Sequence, residues 1–343
     1  MLRTLRRMVF FAGFLPVFAP MALTVDDLGA ARVPVTDNSD AERSRGVPAA
    51  FDRVLVKMTG DSASLADSRL TALRRRAREF NTLYGYERSP EGALLLRADF
   101  DAARVSAALR AEGVPVWGRE RPGVEALFLL RDATGALLPA GEETWRVLHE
   151  ALLRQAANRG VPLTLIPLNQ ALQASVESAV DVAAVVERAS SLPTTTPVRL
   201  VVVLGMQEGE GGWRLQWQLA IGSEVSAGDG ALDLPGPLLE SGLETAFDAI
   251  GRHYVAAVAT GGEAAFRIRI EGVNSPVAWA RIITYLEGLD TLSQVRLARL
   301  AGGIAEFELS AHGGPAAFAQ AVGFGQVLQA VPGAGDRFSI VQR

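Results

Sequence analysis

The highest density of chemically versatile side chains lies in one short segment, Trp117-Gly-Arg-Glu-Arg-Pro122. Arg119 and Arg121 each carry a planar fork of N–H donors that suits a carboxylate or a phosphate, and the Trp117 ring can stack on a ligand or a guanidinium. Pro122 restricts the backbone beside them. Two interpretations stay open: these four residues form a surface that binds a ligand or partner, or they lock two domains together.

Four aspartates could form a catalytic carboxylate pair or a cation site if their strands are neighbours. Three of the four stand at predicted helix starts, where a carboxylate accepts hydrogen bonds from free backbone amides and opposes the helix dipole. Capping explains those three without any catalytic role, and we favour it. The four residues are Asp37, Asp40, Asp99 and Asp101.

The histidines do not show the spacing of a metal site. His149, His253 and His312 lie far apart, and none has a second ligand three or four residues away. The chain has no cysteine, which excludes disulfides, thiolate zinc centres and a thiol nucleophile. It also has no nucleophile-turn or phosphate-binding glycine motif. We therefore expect no cofactor and no metal, and we favour a non-enzymatic protein while leaving catalysis open.

The overall charge argues against a nucleic-acid partner. The 343 residues contain 34 Lys and Arg against 38 Asp and Glu, a formal charge of −4. A nucleic-acid binder needs a basic surface that neutralises phosphates. With 49% apolar residues the chain can form packed cores, and its length corresponds to two or three domains.

The amino terminus has the three parts of a secretory signal peptide. Three arginines within the first seven residues are followed by an apolar run over 8–18 and by small residues up to Ala22. We predict a signal peptide over residues 1–22, removed by cleavage after Ala22, with an uncleaved anchor as the alternative. No later stretch reaches about 18 uninterrupted apolar residues, so we expect no stable membrane span after signal removal. The predicted location is the periplasm.

The elements that position these side chains follow from periodicity. Residues 23–122 show the order β-α-α-β-β-α-β, ending in a short strand over 114–117, and residues 263–343 show a similar order, ending in a strand over 327–331. Residues 123–262 alternate strands with helices, which is typical of α/β architecture. The predicted fold class is thus mixed α+β and α/β, with two βαββαβ ferredoxin-like modules flanking a three-layer α/β middle domain.

An ordered set of segments also resembles a known family. The segments are Val33-Pro-Val, Asp37-Asn-Ser, Phe51-Asp-Arg-Val-Leu-Val-Lys-Met-Thr-Gly60, Tyr84-Gly-Tyr86, Phe100-Asp101, Val116-Trp-Gly-Arg-Glu-Arg-Pro122, Gly160-Val-Pro-Leu, Ile166-Pro167 and Trp213-Arg-Leu-Gln-Trp217. Together they resemble an uncharacterised family of proteobacterial exported proteins, domain-of-unknown-function family 2066. The resemblance implies export and supplies no catalytic residues.

These observations favour a non-enzymatic periplasmic accessory or adaptor protein of the cell envelope that binds a protein or glycan partner. The alternative is a periplasmic hydrolase, or a small-ligand-binding protein, with its site at the junction of the first two domains. The segment from Trp117 to Pro122 is central to both hypotheses, because it lies at that junction.

Overall fold

The computed structural model describes residues 22–341, apart from 26, 90–91, 139–141, 178–181, 191, 195, 208–210, 260–261 and 325–326. The predicted signal peptide therefore lies outside the described residues, except for its last residue. Within the described part, the protein has ten α-helices, three larger sheets and a two-stranded ribbon. The mixed α+β content predicted from the sequence is confirmed. No helix in this part combines the length and apolar character needed to cross a bilayer.

The amino-terminal part forms a three-stranded antiparallel sheet in the order β2-β4-β3 beside four helices, and a ribbon pairs β1 with β5. A short 3-10 helix covers Ser62–Ala66. The strands are β1 Ala22–Thr24, β2 Ala30–Pro34, β3 Asn81–Arg88, β4 Leu94–Phe100 and β5 Glu120–Pro122, and the helices are α1 Asp40–Thr59, α2 Ser68–Arg75, α3 Ala77–Phe80 and α4 Ala102–Ala111.

Helix α1 is defined by local signals at both ends. The Ser39 side chain accepts a hydrogen bond from the Glu42 amide at 3.3 Å, which caps the first turn. Gly60 ends the helix with a φ of 75°, a left-handed conformation that glycine adopts without steric cost. Between them, Phe51 and Leu55 are completely buried against the sheet. The predicted strand over 114–117 is absent; instead the Trp117 amide donates to the Met58 carbonyl at 2.7 Å.

The middle part forms a five-stranded mixed sheet in the order β10-β9-β8-β6-β7. Strand β6 is covered on both faces, because Phe128 packs in one core with α5 and α8 while Leu127 packs in another with α6 and α7. The strands are β6 Val124–Arg131, β7 Leu163–Leu165, β8 Val198–Met206, β9 Trp213–Ile221 and β10 Glu224–Leu232, and the helices are α5 Glu143–Asn158, α6 Gln170–Glu177, α7 Val182–Ser190 and α8 Pro235–Ala259.

The carboxyl-terminal part forms a second five-stranded sheet in the order β12-β13-β11-β15-β14, with two helices on one face. The predicted closing strand over 327–331 corresponds to β14, which lies at the sheet edge, and the unpredicted β15 separates it from β11. The strands are β11 Glu263–Glu271, β12 Leu292–Ala301, β13 Ile304–His312, β14 Leu328–Ala330 and β15 Arg337–Ile340, and the helices are α9 Pro276–Gly288 and α10 Gly314–Phe324.

Candidate functional site

The segment from Trp117 to Pro122 lies inside the protein, where the ends of α1 and α5 meet β5. Arg121 is completely buried and has the largest side chain among the fully buried residues. Because the last carbonyls of a helix have no partner within the helix, both helix ends present unsatisfied acceptors to this position. The Arg121 guanidinium, with its several N–H donors, therefore lies where these helix-end carbonyls lack hydrogen-bond partners.

The guanidinium of Arg121 donates to five backbone carbonyl oxygens. The helix ends carry a partial negative charge, so a cation in this position is favourable as well as hydrogen-bonded. The acceptors are the oxygens of Lys57 at 2.7 Å, Gly160 at 2.9 Å, Gly118 at 3.0 Å, Trp117 at 3.1 Å and Arg159 at 3.1 Å.

The Trp117 indole adds a second kind of contact. The guanidinium carbon of Arg121 lies 4.0 Å from the centre of the ring, within cation–π distance. Burial lowers the pKa of Arg121, and the negative charge of Asp290 opposes that effect. The carbonyls and the indole replace the water that an exposed guanidinium would bind, which stabilises the charged form.

Of the four residues predicted as a binding surface, only Arg119 is exposed. Trp117, Arg121 and Pro122 are buried, so a partner in solution does not reach them. The Arg119 backbone amide donates to the Asp290 carboxylate at 3.0 Å, which ties the segment to the carboxyl-terminal part of the chain. The geometry therefore matches the locking interpretation, because the donors of Arg121 are directed to main-chain oxygens.

A buried ion pair next to this lock was not predicted from the sequence. The Arg159 guanidinium, just past the end of α5, contacts the Asp248 carboxylate on α8. Asp248 also accepts hydrogen bonds from the Ser62 amide at 2.9 Å and the Ser62 hydroxyl at 2.5 Å. One carboxylate thus joins α5, α8 and the turn that follows α1. No spacing motif marks it, because its partners are 89 and 186 residues away.

The backbones of α8 and the end of α1 are in direct contact here. A Cβ atom added to Gly251 would lie 1.9 Å from the carbonyl oxygen of Gly60, closer than any non-bonded contact allows. Glycine at position 251 therefore lets α8 reach the Ser62 turn, and that approach brings Asp248 within hydrogen-bond distance.

A groove opens to solvent beside the ion pair, between α1, α5 and α8. Its volume is about 430 Å³, and it combines carboxylate, amide and guanidinium groups with a few apolar side chains. Such a mixture can hydrogen-bond a small polar ligand from several sides. The polar residues that line it include Asp52, Arg53, Gln155, Arg159, Glu240 and Glu244.

On the other side of β5, Glu120 faces the carboxyl-terminal part of the chain. Its Oε2 atom is buried and has no hydrogen-bond partner within the described residues, and the same holds for Tyr285 Oη and Thr291 Oγ1. Burial raises the pKa of Glu120 from 4.5 to about 7, and the nearby Asp290 carboxylate adds to the increase. Burial also raises the pKa of Tyr285, with a further contribution from Glu120.

The raised pKa of Glu120 predicts a pH-dependent stability. Between about pH 4.5 and pH 7 the folded protein holds a proton that the unfolded chain has released, so the free energy of unfolding decreases as pH rises through this window and levels off above it. Glu120→Gln should remove the part of this pH dependence that comes from Glu120 and stabilise the protein by about 3 kcal/mol near pH 8. Urea unfolding at about pH 5 and pH 8 measures both effects.

The matched control for this prediction is Glu112→Gln, because Glu112 is exposed. The Glu112→Gln variant should show the same difference in free energy of unfolding between about pH 5 and pH 8 as the unmodified protein. If the free energy of unfolding depends on pH equally in the Glu120→Gln variant and in the unmodified protein, Glu120 is not the group responsible for the pH dependence.

Of the three aspartates expected to cap helices, only Asp101 does so, because Ser39 caps α1; the other aspartates considered as a catalytic pair lie in a turn and in surface ion pairs. Asp101 caps α4 by accepting a hydrogen bond from the Arg104 amide at 3.0 Å, and Asp37 accepts one from the Ser39 amide at 2.8 Å. The other two form ion pairs within their own elements, Asp40 with Arg43 and Asp99 with Arg97. The described residues contain no group of three or more His, Cys, Asp or Glu placed to hold a metal ion.

The histidines lie in three different surroundings. His149 stacks on Trp145 with the ring centres 4.7 Å apart, and His253 Nδ1 lies 2.9 Å from a Glu224 carboxylate oxygen. His312 ends β13, where its amide donates to the Thr291 carbonyl at 2.9 Å.

Comparison with known families matches the amino-terminal part of the chain. Residues 22–118 are similar to a family described as Domain of unknown function (DUF8605). The match covers less than a third of the chain and includes α1, the three-stranded sheet and Trp117. No curated protein and no solved structure matches the chain.

The predicted resemblance to domain-of-unknown-function family 2066 is wrong, because the matching family is a different one. The segments that suggested it are short and encode local structure. Asp37-Asn-Ser precedes α1 and contains its cap, and the stretch that begins at Phe51 is the buried half of that helix, ending at Gly60. Caps and helix ends of this kind occur in many unrelated proteins, so they do not distinguish one family from another.

Proposed function

We propose that this chain is a non-enzymatic accessory or adaptor protein of the cell envelope, exported to the periplasm, where it binds a protein or glycan partner. The signal-like composition of residues 1–22 supports export. The lock around Arg121 supports a scaffold role, because one side chain holds the amino-terminal and middle parts in a fixed arrangement.

We also propose that residues 263–343 form a ferredoxin-like βαββαβ module, that residues 23–122 form a second one without its closing strand, and that residues 123–262 are a three-layer α/β domain. The strand orders support the first part, since β4 lies between β2 and β3, and β13 lies between β11 and β12. Buried clusters on the two faces of β6 support the second.

The observation that carries the binding function is the exposure of three long outer strands. Strands β3, β10 and β12 contain eight, nine and ten residues, and within the described residues each pairs with a single neighbour. An outer strand offers unpaired N–H and C=O groups to which an extended segment of a partner can add. Val225 on β10 and Leu83 on β3 are also exposed apolar side chains.

Site-specific photo-crosslinking in the native host tests this function. With a crosslinking residue at Val225 or Leu83, the protein should be recovered in the osmotic-shock fraction without residues 1–22, and it should form a discrete adduct of higher mass. The control is the same residue at Val277, which is exposed on helix α9 and should give no adduct. Retention of the intact chain in the cytosol, or identical adduct patterns at all three positions, would refute the proposal.

One observation favours the alternative of a small-ligand-binding protein at the junction of the first two domains. The groove between α1, α5 and α8 has room for a small polar molecule and presents groups of both charges. A protein that works only through this groove should give no discrete adduct at either outer strand.

A further inference from the structure

The open face of the carboxyl-terminal sheet carries most of its charged side chains in ordered rows. On β11, Ile268 and Ile270 point into the core beneath α9 and α10, so the alternating Arg267 and Arg269 point to the opposite, solvent-facing side. Strand register sets Glu308 between Arg267 and Arg296, and Glu306 between Arg269 and Arg299. Arg337 on β15 stands beside Arg269. We call this surface the arginine face; it consists of Arg267, Arg269, Arg296, Arg299 and Arg337.

Within the rows the positive groups are outermost. The Glu308 side chain is 24% exposed, whereas Arg267 and Arg296, which both contact it, are 76% and 67% exposed. In the second row Glu306 is 33% exposed and its partner Arg269 is 54% exposed. The carboxylates therefore lie close to the sheet, and a molecule that approaches this face meets guanidinium groups first.

The rows are also incompletely neutralised. Each pairs two arginines with one glutamate, and Arg299 has no ion-pair partner within the described residues. Arg337 adds a further positive charge and lies 3.9 Å from the Glu271 carboxylate, and Glu263 and Glu271 lie at the two ends of β11, so the five arginines stand with four glutamates. This positive excess stands on a chain with a formal charge of −4, so it is a local feature of one surface.

The spacing of the rows favours an extended peptide. Alternate residues on one face of a strand are about 6.5–7 Å apart, and the two rows have this separation because Arg267 and Arg269 are alternate residues of β11. Carboxylates at alternate positions of an extended chain have the same repeat. Two shallow depressions, of about 470 and 340 Å³, lie over the first and second rows.

We propose that the arginine face binds an extended acidic segment of a partner protein, with carboxylates at alternate positions bridging the guanidiniums of the two rows. This inference rests on the proposed function, since it names the chemistry of one partner contact. Arginine forks bind carboxylates through paired, charge-assisted hydrogen bonds. Arg299, which has no ion-pair partner in the described structure, and Arg267, which shares Glu308 with a second arginine, are the residues most available for it.

A fluorescent peptide of alternating Glu and Ser, titrated against the exported protein by fluorescence anisotropy, tests the proposal. The double variant Arg267→Gln with Arg299→Gln should weaken binding by about tenfold, because each exposed charged contact contributes roughly three- to fivefold. The matched control is Arg75→Gln with Arg78→Gln, which removes the same charge from exposed arginines near α2 and α3 and should leave binding unchanged. Binding should also weaken as salt rises to about 0.5 M.

The other anionic partners are outcomes of the same test. Equal losses in the two double variants, or no binding of the peptide by the unmodified protein, would overturn the proposal. A second outcome is that the unmodified protein binds vesicles with anionic lipid, or polygalacturonate, but not the peptide, and that the Arg267→Gln, Arg299→Gln variant loses this binding. That result would overturn the acidic segment and point to a membrane surface or an acidic glycan. If discrete adducts form at Val225 or Leu83 but the peptide does not bind, the proposed adaptor function is still supported. Only the proposed contact between the arginine face and an acidic segment is then refuted.

Discussion

Replacing Arg121 with methionine is expected to lower the free energy of unfolding by about 3–5 kcal/mol. Methionine fills part of the space of the arginine stem but donates no hydrogen bond. Five buried carbonyl oxygens would lose their donor, and two of them belong to Lys57 in the last turn of α1 and to Gly160 just past α5. Urea unfolding, with the midpoint and slope compared between variants, measures the loss.

A neighbouring substitution separates this effect from general damage to the segment. Arg119→Met changes the same residue type two positions away, but the Arg119 side chain is about half exposed and its ion pair with Asp290 is long at 3.9 Å. It should change the free energy of unfolding by less than about 1 kcal/mol. Arg121→Lys should fall between the two, since an ammonium has three donors and does not form the planar fork. Similar stability of the Arg121→Met and Arg119→Met variants would show that the lock is not structural.

Asp248→Ala is the second large effect, with an expected loss of about 3–5 kcal/mol. It would leave the buried Arg159 guanidinium without its close carboxylate and would remove the acceptor of both hydrogen bonds from Ser62. A buried charge without a partner costs more than the pair itself contributes, so the penalty exceeds that of a surface ion pair. Equilibrium unfolding of the purified variant provides the measurement.

Helix α8 offers an internal control one turn away. Glu244 also approaches Arg159, with an N–O distance of 3.7 Å, but its side chain is 50% exposed whereas that of Asp248 is 8% exposed. Glu244→Ala should cost less than about 1 kcal/mol, because water can replace an exposed carboxylate. If the two alanine variants unfold at the same urea concentration, burial is not what makes the Asp248 contact important.

The sequence by itself determined the elements whose signals are local. Ser39 and Gly60 bound α1 through hydrogen bonds to residues no more than four positions away, so their types are sufficient to mark its ends. The hairpin between β12 and β13 follows in the same way from Gly302 and Gly303, both of which adopt positive φ in the structure.

Strands without an alternating apolar pattern were determined by tertiary contacts. Strand β10 is polar, glycine-rich and largely exposed, and it is a strand because all nine of its residues pair with β9. Gly228 faces Trp217 in that register, and a Cβ added there would lie 2.6 Å from the indole ring. The four residues of β15 likewise form a strand because they pair with β11 and β14. Periodicity in the sequence reports burial on one face, which β10 hardly has.

The role of the segment from Trp117 to Pro122 shows the same division most clearly. The sequence identified its arginines as unusual, and their types were compatible with both a lock and a binding surface. The structure separates them, because Arg121 points inward to carbonyls as far as 64 residues away while Arg119 remains in solvent. Which of two identical side chains is buried depends on where the ends of α1 and α5 meet, and that meeting point is set by packing between distant parts of the chain.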